Sequence, residues 1–227
     1  MSYISLRKRM LAEGIGTFIL TFVGAGSAVA AYALTASAAI SALIAALANG
    51  IALSLAVSAT MNVSGGNINP AVSLALYVAR KISLKTAVAY IVSQIAGAVI
   101  AALFLKTSLP AIYGIPVAWG TPQISASISL LQAILIEMIL TFILVFVVFG
   151  TAVDEHAPKI AGFGIGLAVT VDALVGGPFT GAAMNPAREI GPALVSGVLV
   201  NWYIYWIGDF AGGILAAVVY DYFFLRN

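Results

Sequence analysis

The tripeptide Asn-Pro-Ala occurs twice, at residues 69–71 and 185–187, and the second copy runs directly into Arg188 and Glu189. Asparagine is a favoured N-cap, and proline suits the first helical position, where its missing N–H has no partner to lose. Asn69-Pro70-Ala71 and Asn185-Pro186-Ala187 are therefore helix starts. Each helix N-terminus carries roughly half a positive charge. If the asparagine oxygen caps its own helix, the side-chain NH₂ is free to donate outward. Two such ends facing one another offer donors in a positive field. That suits a neutral oxygen such as that of water and is hostile to cations. A water bonded through its oxygen to both amides cannot relay a proton.

The remaining chemistry is sparse. There is no cysteine, which removes disulfides, thiolate metal sites and thiol catalysis. Neither an HExxH helix nor a GxSxG elbow is present, so an intramembrane enzyme lacks its reacting groups. No metal site or cofactor is expected.

The elements that must carry these boxes are read from composition. Of 227 residues 62% are hydrophobic and only 8% charged, with a mean hydropathy of +1.10. A soluble domain averages about 45–50% apolar and about 25% charged residues, so lipid is the solvent. The net charge of +2 gives no reason to expect a nucleic-acid partner. The polar, basic first ten residues and the length of the apolar run after them argue against a signal peptide. Six runs reach the roughly 20 residues needed to cross a bilayer: about 8–31, 37–60, 84–106, 128–151, 159–178 and 199–223. The apolar pieces after Asn69 and Asn185 are about half that length and are predicted to be half-membrane helices, each rising about 15 Å. With six spans both termini share a side. Arg7, Lys8, Arg9, Arg80, Lys81, Lys85, Lys159 and Arg226 fall on it, leaving only Lys106 and Arg188 elsewhere. The asymmetry places both termini in the cytoplasm, in a multi-pass protein of the cell membrane.

The chain also repeats itself. LAEGIGTFILTF (11–22) returns as LIEMILTFILVF (135–146), matching Glu13 with Glu137, and SGGNINPAVSLAL (64–76) returns as TGAAMNPAREIGPAL (180–194). Each half has three spans and one half-helix. Three is odd, so the second half enters from the opposite face and the two are related by a pseudo-twofold axis in the membrane plane. The repeats cover about 8–106 and 128–223, joined by an extracellular loop at about 107–127, all within one channel domain spanning 1–227. Irregular backbone ahead of each half-helix is tolerable in a membrane only where it lines a wet cavity. The carbonyls of Gly65, Gly66, Asn67, Gly181, Ala182 and Ala183 would then supply acceptors along the path.

With both boxes, the arginine after the second, the paired glutamates and the closing NWYIYWIGDFAGG, the sequence resembles an aquaporin of the major intrinsic protein family over nearly its whole length. The resemblance implies an all-α hourglass of six transmembrane helices and two re-entrant half-helices, assembled as a homotetramer. It implies a passive channel for water that excludes ions and protons. It further implies that Glu13 and Glu137 accept hydrogen bonds from the re-entrant loops. Matched spacing carries the family's four-residue filter onto Arg188, Ala182, Ala173 and Asn49. Water-selective members place Phe and His at the helix positions and glycerol facilitators use two aromatics. With neither pattern here, the resemblance implies a wider and less apolar opening than the strict water filter, so urea, glycerol, ammonia or a metalloid hydroxide would fit, and a facilitator is the alternative to a strict water channel. Tyr205-Trp206 resembles the water-channel pattern instead. Asn67 stands where the family usually has His, which removes a titratable group.

Three other sites remain open. His156, with Asp154, Glu155 and Lys159, forms either a solvated turn or a pH gate. Asp172 and Asp209 are intramembrane acids. Each either bonds neighbouring groups or acts, Asp172 in the outer vestibule or both as coupling sites of a proton-coupled secondary transporter. Glu189 neighbours Arg188 in sequence but points elsewhere on the helix, so a simple salt bridge between them is not expected.

Overall fold

The computed structural model describes residues 4–158 and 160–225. Lys159 and Arg226, two of the basic residues that orient the chain, lie outside them. The elements in order are α1 (Leu6–Leu34), α2 (Ala38–Ser64), α3 (Pro70–Val78), α4 (Leu84–Ser108), α5 (Ala111–Gly114), α6 (Leu130–Val148), α7 (Ala161–Thr180), α8 (Pro186–Ser196) and α9 (Trp202–Tyr220). Among the described residues six helices are long and apolar enough to cross a membrane, α6 continuing to Val153 and α9 to Leu225. The protein is a multi-pass, all-helical membrane protein.

Local chemistry sets the helix ends. The Ser37 and Ser83 hydroxyls cap α2 and α4, and Ser129 forms a reciprocal capping box with Gln132 at the start of α6. The two half-helices α3 and α8 start where the asparagines predict, each with proline in its first turn. They follow α2 and α7, which end on left-handed Gly65 and Gly181. Both halves thus run span, span, half-helix, span.

The bundle is held at glycine crossings. A Cβ on Gly97 of α4 would lie 2.1 Å from the Gly14 carbonyl oxygen of α1, and one on Gly212 of α9 would lie 2.1 Å from the Met138 carbonyl oxygen of α6. Gly50 of α2 and Gly166 of α7 approach one another in the same way. Without a side chain at the crossing, backbones come close enough for van der Waals packing, which drives helix association in lipid. Large apolar residues such as Leu11, Leu55 and Val175 face outward, while Glu13, Thr17, Ser73, Gln94 and Glu137 are wholly buried. Polar groups inside and leucines outside is the arrangement a lipid solvent demands.

The connection after α4 is more structured than a plain loop. After α5, a turn over Ile115–Gly120 places Ala118 and Trp119 in left-handed conformations and seats Trp119 against Ala25, Val29 and Leu105. Burial of the indole holds this segment down on the bundle, with Gly120 against Ala25.

Candidate functional site

Where α3 and α8 begin, the two asparagines meet. Asn69 Oδ1 accepts from the Ala71 N–H at 2.8 Å, and Asn185 Oδ1 accepts from the Ala187 and Arg188 N–H groups at 3.1 and 3.2 Å. Each amide also reaches across the pair. Asn69 Nδ2 donates to the Met184 carbonyl at 2.7 Å, and Asn185 Nδ2 donates to the Ile68 carbonyl at 3.0 Å. The amides are therefore only half as free as the sequence suggests. An NH₂ has two hydrogens; one clamps the opposite loop and one remains for a solute. Ile68 and Met184 accept these bonds from left-handed backbone, with φ of 57° and 50°. That conformation costs a non-glycine residue roughly 1–3 kcal/mol and is held by the crossed bonds.

The loops hang on the paired glutamates. Glu13 accepts from the Asn67 and Ile68 N–H groups at 3.0 and 2.6 Å and from Gln94 Nε2 at 2.7 Å. Glu137 accepts from the Ala183 and Met184 N–H groups at 3.1 and 2.9 Å. Asn67 turns its amide to Ser73 at 3.2 Å. A second pair was not singled out from sequence: the Tyr90 and Tyr205 hydroxyls each donate, at 2.8 Å, to the last carbonyl of α2 or α7, at Ser64 and Thr180. Aligning α4 with α9 would have found it, since the tyrosines match at the same offset as Gln94 and Asp209.

Toward α8 the cavity meets Arg188, which is only 8% exposed. Its Nη1 donates to the Gly120 carbonyl at 3.0 Å, and its Nε donates to Asn49 Oδ1 at 3.3 Å. Asn49 itself donates to the Ala45 carbonyl at 2.8 Å. Asn49, Ala173, Ala182 and Arg188 share the wall of a vestibule of about 630 Å³ with Gly24 and Gly120. Gly120 carries no sequence signal for this role, because its carbonyl arrives with the tucked connection. Deeper, a space of about 20 Å³ lies between Asn69 and Asn185, walled by Leu20, Leu53, Leu144 and Val169. A space of roughly 10–15 Å³ suffices for one water, so this one holds a single molecule of that size. Gly181 and Ala182 border the vestibule and Ala182 and Ala183 the inner space, while Gly65, Gly66 and Asn67 border neither.

The leftover charges separate. Asp172 is buried and does not line the vestibule that its neighbour Ala173 faces, because successive helical residues point about 100° apart. The vestibule is lined by Ala173 and not by Asp172. Glu189 is buried without an ion pair to Arg188 among the described residues. His156 is exposed in a turn and donates its N–H to Asp154 Oδ1 at 2.9 Å.

The family model described as Major intrinsic protein matches residues 1–220. The chain is 42% identical over 231 residues to Aquaporin TIP1-2 of Zea mays, covering 99% of this chain and 89% of that one. It is 38% identical over 217 residues to Aquaporin A of Dictyostelium discoideum, covering 94% and 77%. In three dimensions it is similar to the aquaglyceroporin from Plasmodium falciparum, with a TM-score of 0.81, 26% identity and 96% of each chain covered.

Proposed function

Since the chain belongs to the major intrinsic protein family, we propose that it is a passive channel conducting water in single file while excluding ions and protons. The observation that carries this reading is the crossed pair of asparagine amides over a space of about 20 Å³. One donor from each amide remains for the oxygen of a passing molecule, and apolar side chains face it from the other side. Two helix N-termini supply a positive field, and Arg188 adds a full charge at the outer constriction. A cation meets both, with no carboxylate among the described residues that line the vestibule or the inner space. Stopped-flow shrinkage of proteoliposomes in sucrose tests the reading: water permeability no greater than that of empty vesicles overturns it.

Small neutral solutes are a second reading, favoured by the absence of any aromatic side chain among Asn49, Ala173, Ala182 and Arg188. Re-swelling with glycerol or urea as osmolyte supports it, and shrinkage without re-swelling removes it. A proton-coupled transporter is less well supported, since Asp172 and Asp209 lie buried off both cavity walls. Flux that stops at equal concentration excludes it.

In this reading both termini are cytoplasmic, in the cell membrane, and four copies assemble with one pore in each. Protease accessibility of terminal tags, membrane fractionation and the mass of the detergent-solubilised complex test these in turn.

A further inference from the structure

The third spans of the two halves align at one constant offset, matching Tyr90 with Tyr205, Gln94 with Asp209 and Gly97 with Gly212. In the first half Gln94 is the donor that steadies the loop glutamate: its Nε2 gives hydrogen bonds to Glu13 at 2.7 Å and to Ser73 at 3.0 Å. The second half keeps the glutamate and its two loop N–H groups. It replaces the glutamine by Asp209 and the serine by Glu189. An amide donor has become a carboxyl at the same crossing: a Cβ on the preceding Gly208 would lie 2.8 Å from Glu137 Cβ, and Asp209 bonds Thr141, one turn beyond Glu137 on α6.

The surroundings leave this pair one arrangement. Glu137 and Asp209 are both 0% exposed. Asp209 Oδ1 accepts from the Thr141 hydroxyl at 3.2 Å, and Oδ2 has no donor. The titratable groups facing Asp209 are Glu137 from α6, Glu189 from α8 and Tyr205 one turn back on α9. The only such group on α3, Tyr77, lies part-exposed at the surface, and Asp221 is about three turns further along the last span. Arg188, the cation on α8, gives its hydrogen bonds among the described residues to Gly120 and Asn49 and none to either carboxyl. Two adjacent carboxylates out of water with no cation between them cannot both be charged. A proton shared between them gives a short, strong O–H···O⁻ bond. Glu137 already accepts two backbone N–H groups, which stabilise its charge, so the proton belongs on Asp209.

We propose that Asp209 is a positioning residue: it keeps its carboxyl proton at neutral pH, donates it to Glu137, and so makes the second pore loop a proton-dependent latch. With the proton in place, Glu137 holds the Ala183 and Met184 N–H groups, and the Met184 carbonyl meets the Asn69 amide. Removing the proton sets two anions side by side. Glu137 withdraws, the Met184 carbonyl leaves Asn69, and the single file is interrupted. The channel loses water permeability on the alkaline side, reversibly.

The proposal rests on the channel reading, and the two can be tested apart. The full chain in proteoliposomes is assayed by stopped-flow shrinkage from about pH 6 to about pH 9, below the ordinary range of Tyr, Lys and Arg. Permeability at neutral pH above that of empty vesicles tests the channel. A several-fold reversible fall at alkaline pH tests the latch. Asp209→Asn supplies a donor that cannot be titrated, as Gln94 does, and is expected to keep the neutral permeability with a flat profile. Glu189→Gln is expected to leave the fall in place. Infrared spectroscopy with isotope-labelled aspartate is expected to show, at neutral pH, a protonated-carboxyl C=O stretch in the wild type that is missing from Asp209→Asn. A flat wild-type profile, one profile shared by wild type and Asp209→Asn, a fall abolished by Glu189→Gln, or an ionised Asp209 at neutral pH each overturns the proposal.

Discussion

Gly24→Ala tests the outer constriction by adding a single methyl group beside the contact between Asn49 and Arg188. A Cβ on Gly24 would stand 2.1 Å from Asn49 Oδ1, 2.9 Å from its Cγ and 3.3 Å from Arg188 Nε. Ordinary contact begins near 3.4 Å, so the Asn49 carbonyl must retreat by about 1.3 Å. Its bond to Nε, already 3.3 Å long, is then lost. A hydrogen bond to a charged group is worth about 1.5–3 kcal/mol. Arg188 keeps Gly120 but loses its second tether, and the displaced Asn49 side chain has the vestibule to move into. An Asn49 side chain pushed into the vestibule narrows it beside Arg188, so glycerol or urea flux should fall several-fold, and water flux by less. Alanine in place of glycine inside a helix otherwise favours folding by about 1 kcal/mol, so the loss is not a helix defect. Adding Asn49→Ala removes the colliding carbonyl and should recover solute flux. The assay is stopped-flow light scattering of proteoliposomes, with sucrose and then glycerol or urea. Gly24→Ala with unchanged fluxes for water and solute, or a double variant no better than the single one, would refute the reasoning.

Other expectations follow from the same geometry. Glu13→Gln leaves one oxygen for three donors and points a new NH₂ at a buried backbone N–H, so thermal stability and water permeability should both drop, by about 3 kcal/mol or more in the former; an unchanged melting curve in detergent contradicts this. Gly97→Val forces a side chain against the Gly14 carbonyl of α1 and should cost at least about 1–3 kcal/mol, whereas Gly177→Ala, inside α7 with nothing within 4 Å, should melt at or slightly above the wild-type temperature. The His156 N–H holds the Asp154 carboxyl below the ordinary aspartate value of 3.8, assisted by the His156 ring and the Tyr220 hydroxyl. The depressed value means that this turn's stabilisation is complete above 3.8 and lost as pH falls through the folded value. A carbon-13 titration of Asp154 with its midpoint at or above 3.8 would show that the turn does not form.

Much of the fold is legible in the chain because its causes are local. Apolar length sets the six spans, and asparagine followed by proline starts α3 and α8 wherever the surrounding helices lie. The Glu13 and Glu137 match is visible because the same segment was used twice. What the sequence could not decide is which groups face each other across the bundle. The Asn185 amide meets a carbonyl 117 residues away, and Gly120 reaches Arg188 only because Trp119 buries itself against α1 and α4 and pulls the connection inward. Asp172 and Ala173 are neighbours in sequence, yet helix rotation sends one into the packing and the other to the cavity. The spacing of residues along a helix fixes their relative direction. The absolute direction, and with it the pairing of donors and acceptors, is set by how tightly the glycine crossings let the spans approach, and that exists only in the assembled bundle.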